Sequence, residues 1–112
     1  METFSLGDTI RVELDLRDES GISTVSAVFY ELDTGKGFMM RGDSEGETEV
    51  TVPLTQKVTD ELMPGVYRCE SVTLYDVHLN RKIFYPEIRF RVADTPGDHE
   101  GPELLGWRIS KE

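Results

Sequence analysis

Apolar and polar residues alternate along most of this chain, and this two-residue period constrains the fold more than any other feature. In residues 9–16 every second side chain is apolar, namely Ile10, Val12, Leu14 and Leu16. Successive side chains of a β-strand point to opposite faces, so this pattern is typical of a strand with one buried face. Similar runs follow at 22–33, 38–41, 48–54, 66–76 and 83–92, and Gly, Asp, Asn and Pro separate them.

The spacing of these runs predicts the fold class. About seven short strands with turn residues between them indicate an all-β protein, an antiparallel sandwich of two sheets. No apolar period of 3.6 residues persists, so at most one turn of helix is expected, near residues 60–62. Pro86 cannot donate a ladder hydrogen bond, so we expect an edge, a bulge or a switch between sheets there.

Composition excludes several classes of protein. The net charge of −10 would repel phosphate groups, so neither nucleic acid nor an anionic membrane surface is an expected partner. No apolar run approaches the roughly 20 residues that a membrane-spanning helix needs. The first residues lack the basic and apolar stretches of a secretory signal. With a single cysteine, Cys69, an internal disulfide is impossible.

Two stretches resemble the immunoglobulin-like (Ig-like) repeats of bacterial surface and secreted proteins. Residues 18–22, Asp-Glu-Ser-Gly-Ile, resemble the turn that follows an early strand of these repeats. Pro64, Gly65 and Tyr67, followed by Asp76 and Asn80, resemble a later strand and its turn, with Leu79 where glycine is usual. Tyr67-Arg68-Cys69 is similar to the Tyr-x-Cys motif whose tyrosine forms a corner in antibody-type domains. The resemblance implies an Ig-like sandwich at 1–93 and a buried Cys69.

The same resemblance bears on the C-terminus. Residues 94–102 look like an acidic Gly/Pro linker between repeats, and residues 103–112 look like the first strand of a repeat. Leu105, Trp107 and Ile109 alternate with small or polar residues there. Three fates remain open for residues 103–110: a frayed end, a return to the first-strand position of the same sandwich in cis, or donation to a neighbouring molecule. A short linker favours the return in cis, because it creates an effective concentration near about 1 mM.

What the resemblance implies about function is a non-catalytic module, a spacer or adhesion-type repeat of a larger exported bacterial protein. Its expected location is extracellular or on the cell surface, and the cytoplasm is the alternative. The expected partners are neighbouring repeats or a second copy. The candidate interaction residues are Leu105, Trp107, Ile109, Tyr75 and Tyr85.

Two alternatives stay open beside this reading. Tyr75, Tyr85 and other aromatic residues could stack against sugar rings, as in a carbohydrate-binding module. Loop carboxylates at Asp18, Glu19, Asp76 and Asp94 are weak candidates for a calcium site, although no EF-hand spacing is present. No cofactor is otherwise expected.

Arg41-Gly42-Asp43, in an expected loop, matches an adhesive tripeptide, but ordinary loop chemistry explains it better. The sequence pairs no nucleophile with a base in a recognisable motif, so we expect no enzyme.

Overall fold

The computed structural model describes residues 1–97 and 102–111, and over that part of the chain it contains β-strands and no helix. The predicted all-β class is therefore confirmed. The expected helical turn is instead a β-turn, in which the Leu62 N–H donates to the Thr59 carbonyl oxygen at 3.2 Å. The strands are β1 (Thr3–Phe4), β2 (Thr9–Arg17), β3 (Ile22–Glu31), β4 (Gly37–Asp43), β5 (Glu49–Lys57), β6 (Gly65–Asp76), β7 (Arg81–Phe84) and β8 (Arg89–Val92).

The strands form two sheets. The larger sheet has the order β1-β8-β6-β3-β4, with β7 also paired to β6, and the smaller sheet pairs β2 with β5. The pair β1–β8 is parallel, with Thr3 opposite Arg91 and Phe4 opposite Val92. The expectation of a purely antiparallel arrangement is wrong at this pair. The reason is that the chain turns from β1 into β2 of the other sheet, so β1 is free to align with β8.

One hydrophobic cluster joins residues of both sheets. It is built from the inward positions of the strands, where the alternation buries every second side chain. Its members include Ile10, Val52 and Leu54 from the smaller sheet and Val25, Ala27, Phe29, Tyr67, Cys69 and Phe90 from the larger one. Burying such a side chain contributes about 1.5–3 kcal/mol. Cys69 is buried as expected, and burial raises the pKa of its thiol.

Pro86 interrupts the last long apolar run, as the sequence predicts. The run becomes two strands that pair with successive parts of β6: β8 with Gly65–Arg68 and β7 with Val72–Tyr75. Between them the Cys69 N–H donates to the Ile88 carbonyl oxygen at 3.0 Å. The proline therefore marks a break within one edge of the larger sheet.

The chain after β8 is fixed at the end of the molecule where β2 begins, which we call the Thr9 end. The Thr95 hydroxyl donates to the Leu62 carbonyl oxygen at 2.6 Å, and the Gly97 N–H donates to the Asp60 carbonyl oxygen at 3.1 Å. Residues 58–62 belong to this end because the Val58 N–H donates to the Asp8 carbonyl oxygen at 2.8 Å. Of the expected linker at 94–102, residues 94–97 and Pro102 are described, and residues 98–101 lie outside the described residues.

Candidate functional site

Strand β2 has a partner, β5, on one edge, and within the described residues its other edge pairs with no strand. Between this open edge and the larger sheet lies a groove of about 420 Å³, which we call the β2–β7 groove. It runs along the half of β2 that ends at Arg17. Its walls are Glu13, Leu14, Asp15, Leu16 and Arg17 of β2 and, opposite them, Val72, Leu74, Phe84 and Pro86.

The floor of the groove is apolar because the alternation of β2 continues to the end of the strand. Ile10, near the start of β2, is 1% exposed, whereas Leu14 and Leu16 are only half-buried. Phe84 on the opposite wall is 42% exposed, and the Lys82 ammonium lies 5.4 Å from the centre of its ring. The arrangement leaves apolar side chains on both walls partly exposed to water.

A second depression of about 330 Å³ continues the groove toward the Arg17 end. It shares Arg17, Leu74 and Phe84 with the groove, and the turn residues Asp18, Asp76 and Asn80 also line it. Carboxylates and basic side chains are both present there. The groove therefore opens at this end into a polar, mixed-charge mouth.

The C-terminal segment lies exposed and unpaired. Residues 102–111 are assigned to no strand, and Leu105, Trp107 and Ile109 are 92%, 80% and 88% exposed. The return in cis, which was the leading expectation, is not seen in this part of the chain. The last residue of the expected strand segment, Glu112, lies outside the described residues.

Two of the candidate calcium ligands close turns. The Asp18 carboxylate accepts hydrogen bonds from the Ser20 and Gly21 N–H groups at 2.9 and 3.1 Å. Asp76 accepts from the side-chain amide of Asn80 at 2.9 Å and from the N–H groups of Asn80 and His78 at 2.8 and 2.9 Å. The Asn80 side-chain bond is the main reason why the pKa of Asp76 lies below its ordinary value, and the two N–H bonds add to it.

The structure brings only some of the four candidate ligands together. Asp18 and Asp76 both line the second depression, whereas Glu19 and Asp94 are not among its walls. Among residues 1–97 and 102–111 no group of three or more His, Cys, Asp or Glu side chains is arranged to hold a metal ion.

The candidate aromatic residues are separated. Tyr75 is half-buried and lines the second depression, whereas Tyr85 is 73% exposed and borders a different, shallow depression with Tyr30. An ion pair of 3.1 Å between Arg68 and Glu87 lies at that shallow depression. Tyr75 and Tyr85 therefore do not form one platform.

Arg41, Gly42 and Asp43 belong to strand β4, so the expectation that they form a loop is wrong. Gly42 faces β5 closely: a Cβ atom there would lie 2.7 Å from side-chain carbons of Val52 and Leu54. The absence of a side chain lets the strand approach its neighbour, which is why a glycine sits inside a strand here.

Sequence reasoning missed a buried acid, Glu31, which is 2% exposed. Its carboxylate accepts hydrogen bonds from the Asp33 and Thr34 N–H groups at 2.6 and 3.1 Å and from the Thr34 hydroxyl at 3.0 Å. Burial alone would raise the pKa of Glu31, but these hydrogen bonds outweigh it and the pKa is lowered. The carboxylate closes the β3–β4 connection.

Sequence reasoning also missed the groove as a site. Its apolar β2 residues were identified only as one face of a strand. The sequence contains one indication of the groove: the apolar face of β2 reaches Leu16, and no strand is predicted to cover that end of it.

No family model matches the chain, and neither a curated protein nor a solved structure matches it. In the described residues no helix has the length and apolar character that crossing a membrane requires.

Proposed function

We propose that the chain is an Ig-like β-sandwich with a non-catalytic function, a structural module that joins neighbouring modules by β-strand pairing. Two features of the fold support the Ig-like assignment. The larger sheet combines β1 with the middle strands β3, β4 and β6 and the late strand β8, and the smaller sheet pairs the early strand β2 with β5. Ig-like domains divide their strands between two sheets in a similar way. The Tyr67 hydroxyl donates to the Met63 carbonyl oxygen four residues upstream, the contact of a tyrosine corner.

The observation that carries the function is the presence of two complementary parts in one chain. One part is the open edge of β2 beside the β2–β7 groove, and the other is the exposed, unpaired segment at residues 102–111. An exposed strand edge is a template for pairing with another strand. Placed in such a groove, Leu105, Trp107 and Ile109 would each contribute about 1.5–3 kcal/mol by burial.

In this proposal the module is one repeat of a larger exported bacterial protein, at the cell surface or outside the cell. The net charge of −10 keeps its surface soluble and away from nucleic acid. Spacing between modules comes from the packed sandwich and from the residues that hold the chain at the Thr9 end as far as Gly97.

The experiment compares the whole chain with a version that ends at Gly101, which retains all eight strands. We expect the shorter protein to remain folded by circular dichroism and to lose its self-association, together with the stability that association adds. Equal mass and equal stability of the two proteins would contradict strand pairing as the function.

A carbohydrate-binding module is the second candidate, and the exposure of Tyr85 favours it. This ring lies beside Tyr30 and the Arg68–Glu87 pair at a shallow depression, where a sugar could stack and form hydrogen bonds. A glycan array tests it with the Tyr85→Ala variant and, as a matched control, Met39→Ala at another exposed apolar position. Glycan binding that only Tyr85→Ala abolishes would replace strand pairing as the main function.

A further inference from the structure

We propose that residues 103–110 of one copy pair antiparallel with β2 of a second copy, fill its β2–β7 groove, and so join copies head to tail in an open chain. This inference rests on the proposed function and names the partner, the strand direction and the form of the assembly. It follows from where the chain is held, how far it can reach and which side chains face the groove.

Antiparallel pairing sets where the incoming segment must start. The smaller sheet is antiparallel, with Thr9 opposite Lys57 and Arg17 opposite Glu49. Antiparallel pairs are slightly more stable per residue than parallel ones, and sheets of one type are favoured. An antiparallel strand on the free edge of β2 begins opposite Arg17 and runs toward the Thr9 end.

The chain cannot reach that starting point on its own molecule. Gly97 is held at the Thr9 end through Asp60, and residues 98–102 separate it from the segment. Those residues span about 20 Å at most, at roughly 3.5 Å per residue. The nine residues of β2 extend roughly 27 Å, at about 3.3 Å per residue. The antiparallel site is therefore out of reach in cis, and a second copy must supply the strand.

The contact joins two different surfaces, the donor segment of one copy and the groove of the next. A segment that leaves the Thr9 end of one copy enters the second copy at its Arg17 end. Copies that follow one another in this way form an open chain, whereas closure as a dimer would need two copies side by side in opposite directions, and the measured mass distinguishes the two arrangements.

The side chains of the segment match the groove. Leu105, Trp107 and Ile109 share one face of an extended strand, at the same two-residue spacing as Leu14 and Leu16 of β2. Trp107 would cover these leucines and contact Phe84 on the opposite wall.

One outward side chain of the segment is basic. Arg108 points away from the groove when Trp107 points into it, and the exposed face of β2 carries Arg11, Glu13, Asp15 and Arg17. Opposite charges on neighbouring strands stabilise a sheet. Arg108 can therefore pair with Glu13 or Asp15 in a register that keeps it away from Arg11 and Arg17.

The test uses two full-length variants with complementary defects. Trp107→Asp removes the donor side chain and keeps the groove, whereas Phe84→Asp places a carboxylate on the groove wall and keeps the donor. Sedimentation velocity at rising concentration should show wild-type species of increasing mass. Each variant alone should associate at least about tenfold more weakly. An equimolar mixture should form a 1:1 complex and nothing larger.

Two control variants carry the same charge change on side chains that do not face the groove. Leu104 precedes Leu105 and points to the opposite side, and Tyr85 follows Phe84 outside the groove. Leu104→Asp and Tyr85→Asp should both retain the wild-type mass series. Circular dichroism checks that every variant is folded.

Trp107 provides a second measurement, because it is the only tryptophan of the chain. Its emission should shift to shorter wavelength as wild-type concentration rises, and it should stay at the solvent-exposed wavelength in Phe84→Asp.

A wild-type protein that is monomeric at every concentration overturns the inference, as does a closed dimer or a mixture that does not form the 1:1 complex. A closed dimer that the Gly101 truncation dissociates would overturn the inference alone and leave the proposed function standing, because strand pairing would still join two modules.

Discussion

The Tyr67 hydroxyl donates a 2.7 Å hydrogen bond to the backbone carbonyl oxygen of Met63, and both residues are buried. The bond connects the start of strand β6 to the loop that precedes it. The Tyr67 ring stacks on Phe90 of β8 at a centroid distance of 5.2 Å. One side chain therefore connects the loop at the Thr9 end, strand β6 and strand β8.

Tyr67→Phe should destabilise the protein by about 1–3 kcal/mol, because the ring contacts remain while the Met63 carbonyl loses its donor. Chemical denaturation measures the change in unfolding free energy. Tyr85→Phe is the matched control: its side chain is 73% exposed, so its effect should stay within about 0.5 kcal/mol. Equal stabilities of the two variants would show that the buried hydrogen bond contributes nothing.

Tyr67 should also make the protein sensitive to alkaline pH. Burial, together with the negative charge of Glu31, raises the pKa of Tyr67 to about 12 from its ordinary value of 10.0. A group whose pKa is raised on folding contributes stability that is present below the unfolded pKa and lost as pH rises through the folded pKa. Wild type should therefore lose roughly 2–3 kcal/mol between pH 10 and pH 12 that Tyr67→Phe does not lose. Denaturation of both proteins across this range gives the difference, and parallel pH profiles would refute the assignment.

Glu31 should have the opposite pH dependence. Its pKa is lowered in the folded protein, so its contribution is present above the unfolded pKa and lost as pH falls through the folded pKa. Glu31→Gln replaces one acceptor oxygen with an NH2 group, which would face either the Asp33 N–H or the Thr34 N–H and hydroxyl. We expect a cost of about 1–3 kcal/mol at pH 7.

That cost should shrink as the solution is acidified, because the wild-type carboxylate is then neutralised as well. Urea denaturation at pH 7 and at pH 3 measures it, and Glu45→Gln, at an exposed loop position, is the matched control. A cost that does not depend on pH would mean that the charge of Glu31 is not what closes the turn.

The sequence predicts the strands more clearly than it predicts which strands pair with each other. The alternation of β2, the break at Pro86 and the burial of Cys69 could be predicted because each depends on local chemistry. The parallel pairing of β1 could not, since two residues are too short for a period and its alignment is set by the other sheet. Gly42 was placed in a loop because glycine is rare inside strands, and only the close approach of β5 explains it.

The candidate site shows the same division. The apolar face of Leu105, Trp107 and Ile109 is visible in the sequence, because a two-residue period is local. The groove depends on which strand edge is left open and on how far Gly97 lies from Arg17, and these are properties of the assembled sheets. Glu31 was missed because an acid before Leu-Asp-Thr-Gly looks like part of a solvated turn.

Leu79 is a backbone position where a substitution should stabilise the protein. It has a φ of 66° in the β6–β7 turn and is 76% exposed, so its side chain contributes little burial. The left-handed conformation costs a residue with a Cβ atom about 1–2 kcal/mol, and glycine avoids that cost. The hydrogen bonds from Asn80 to Asp76 that close the turn do not involve the Leu79 side chain.

Leu79→Gly should therefore raise the unfolding free energy by up to about 1 kcal/mol, after the greater chain entropy of unfolded glycine is subtracted. The Tm should rise by several degrees in a thermal scan. Leu79→Ala is the matched control, because it removes the same exposed side chain and keeps the Cβ atom that disfavours positive φ. If Ala and Gly raise the Tm equally, the gain comes from removing exposed apolar surface. If Gly lowers it, the backbone at residue 79 is not strained.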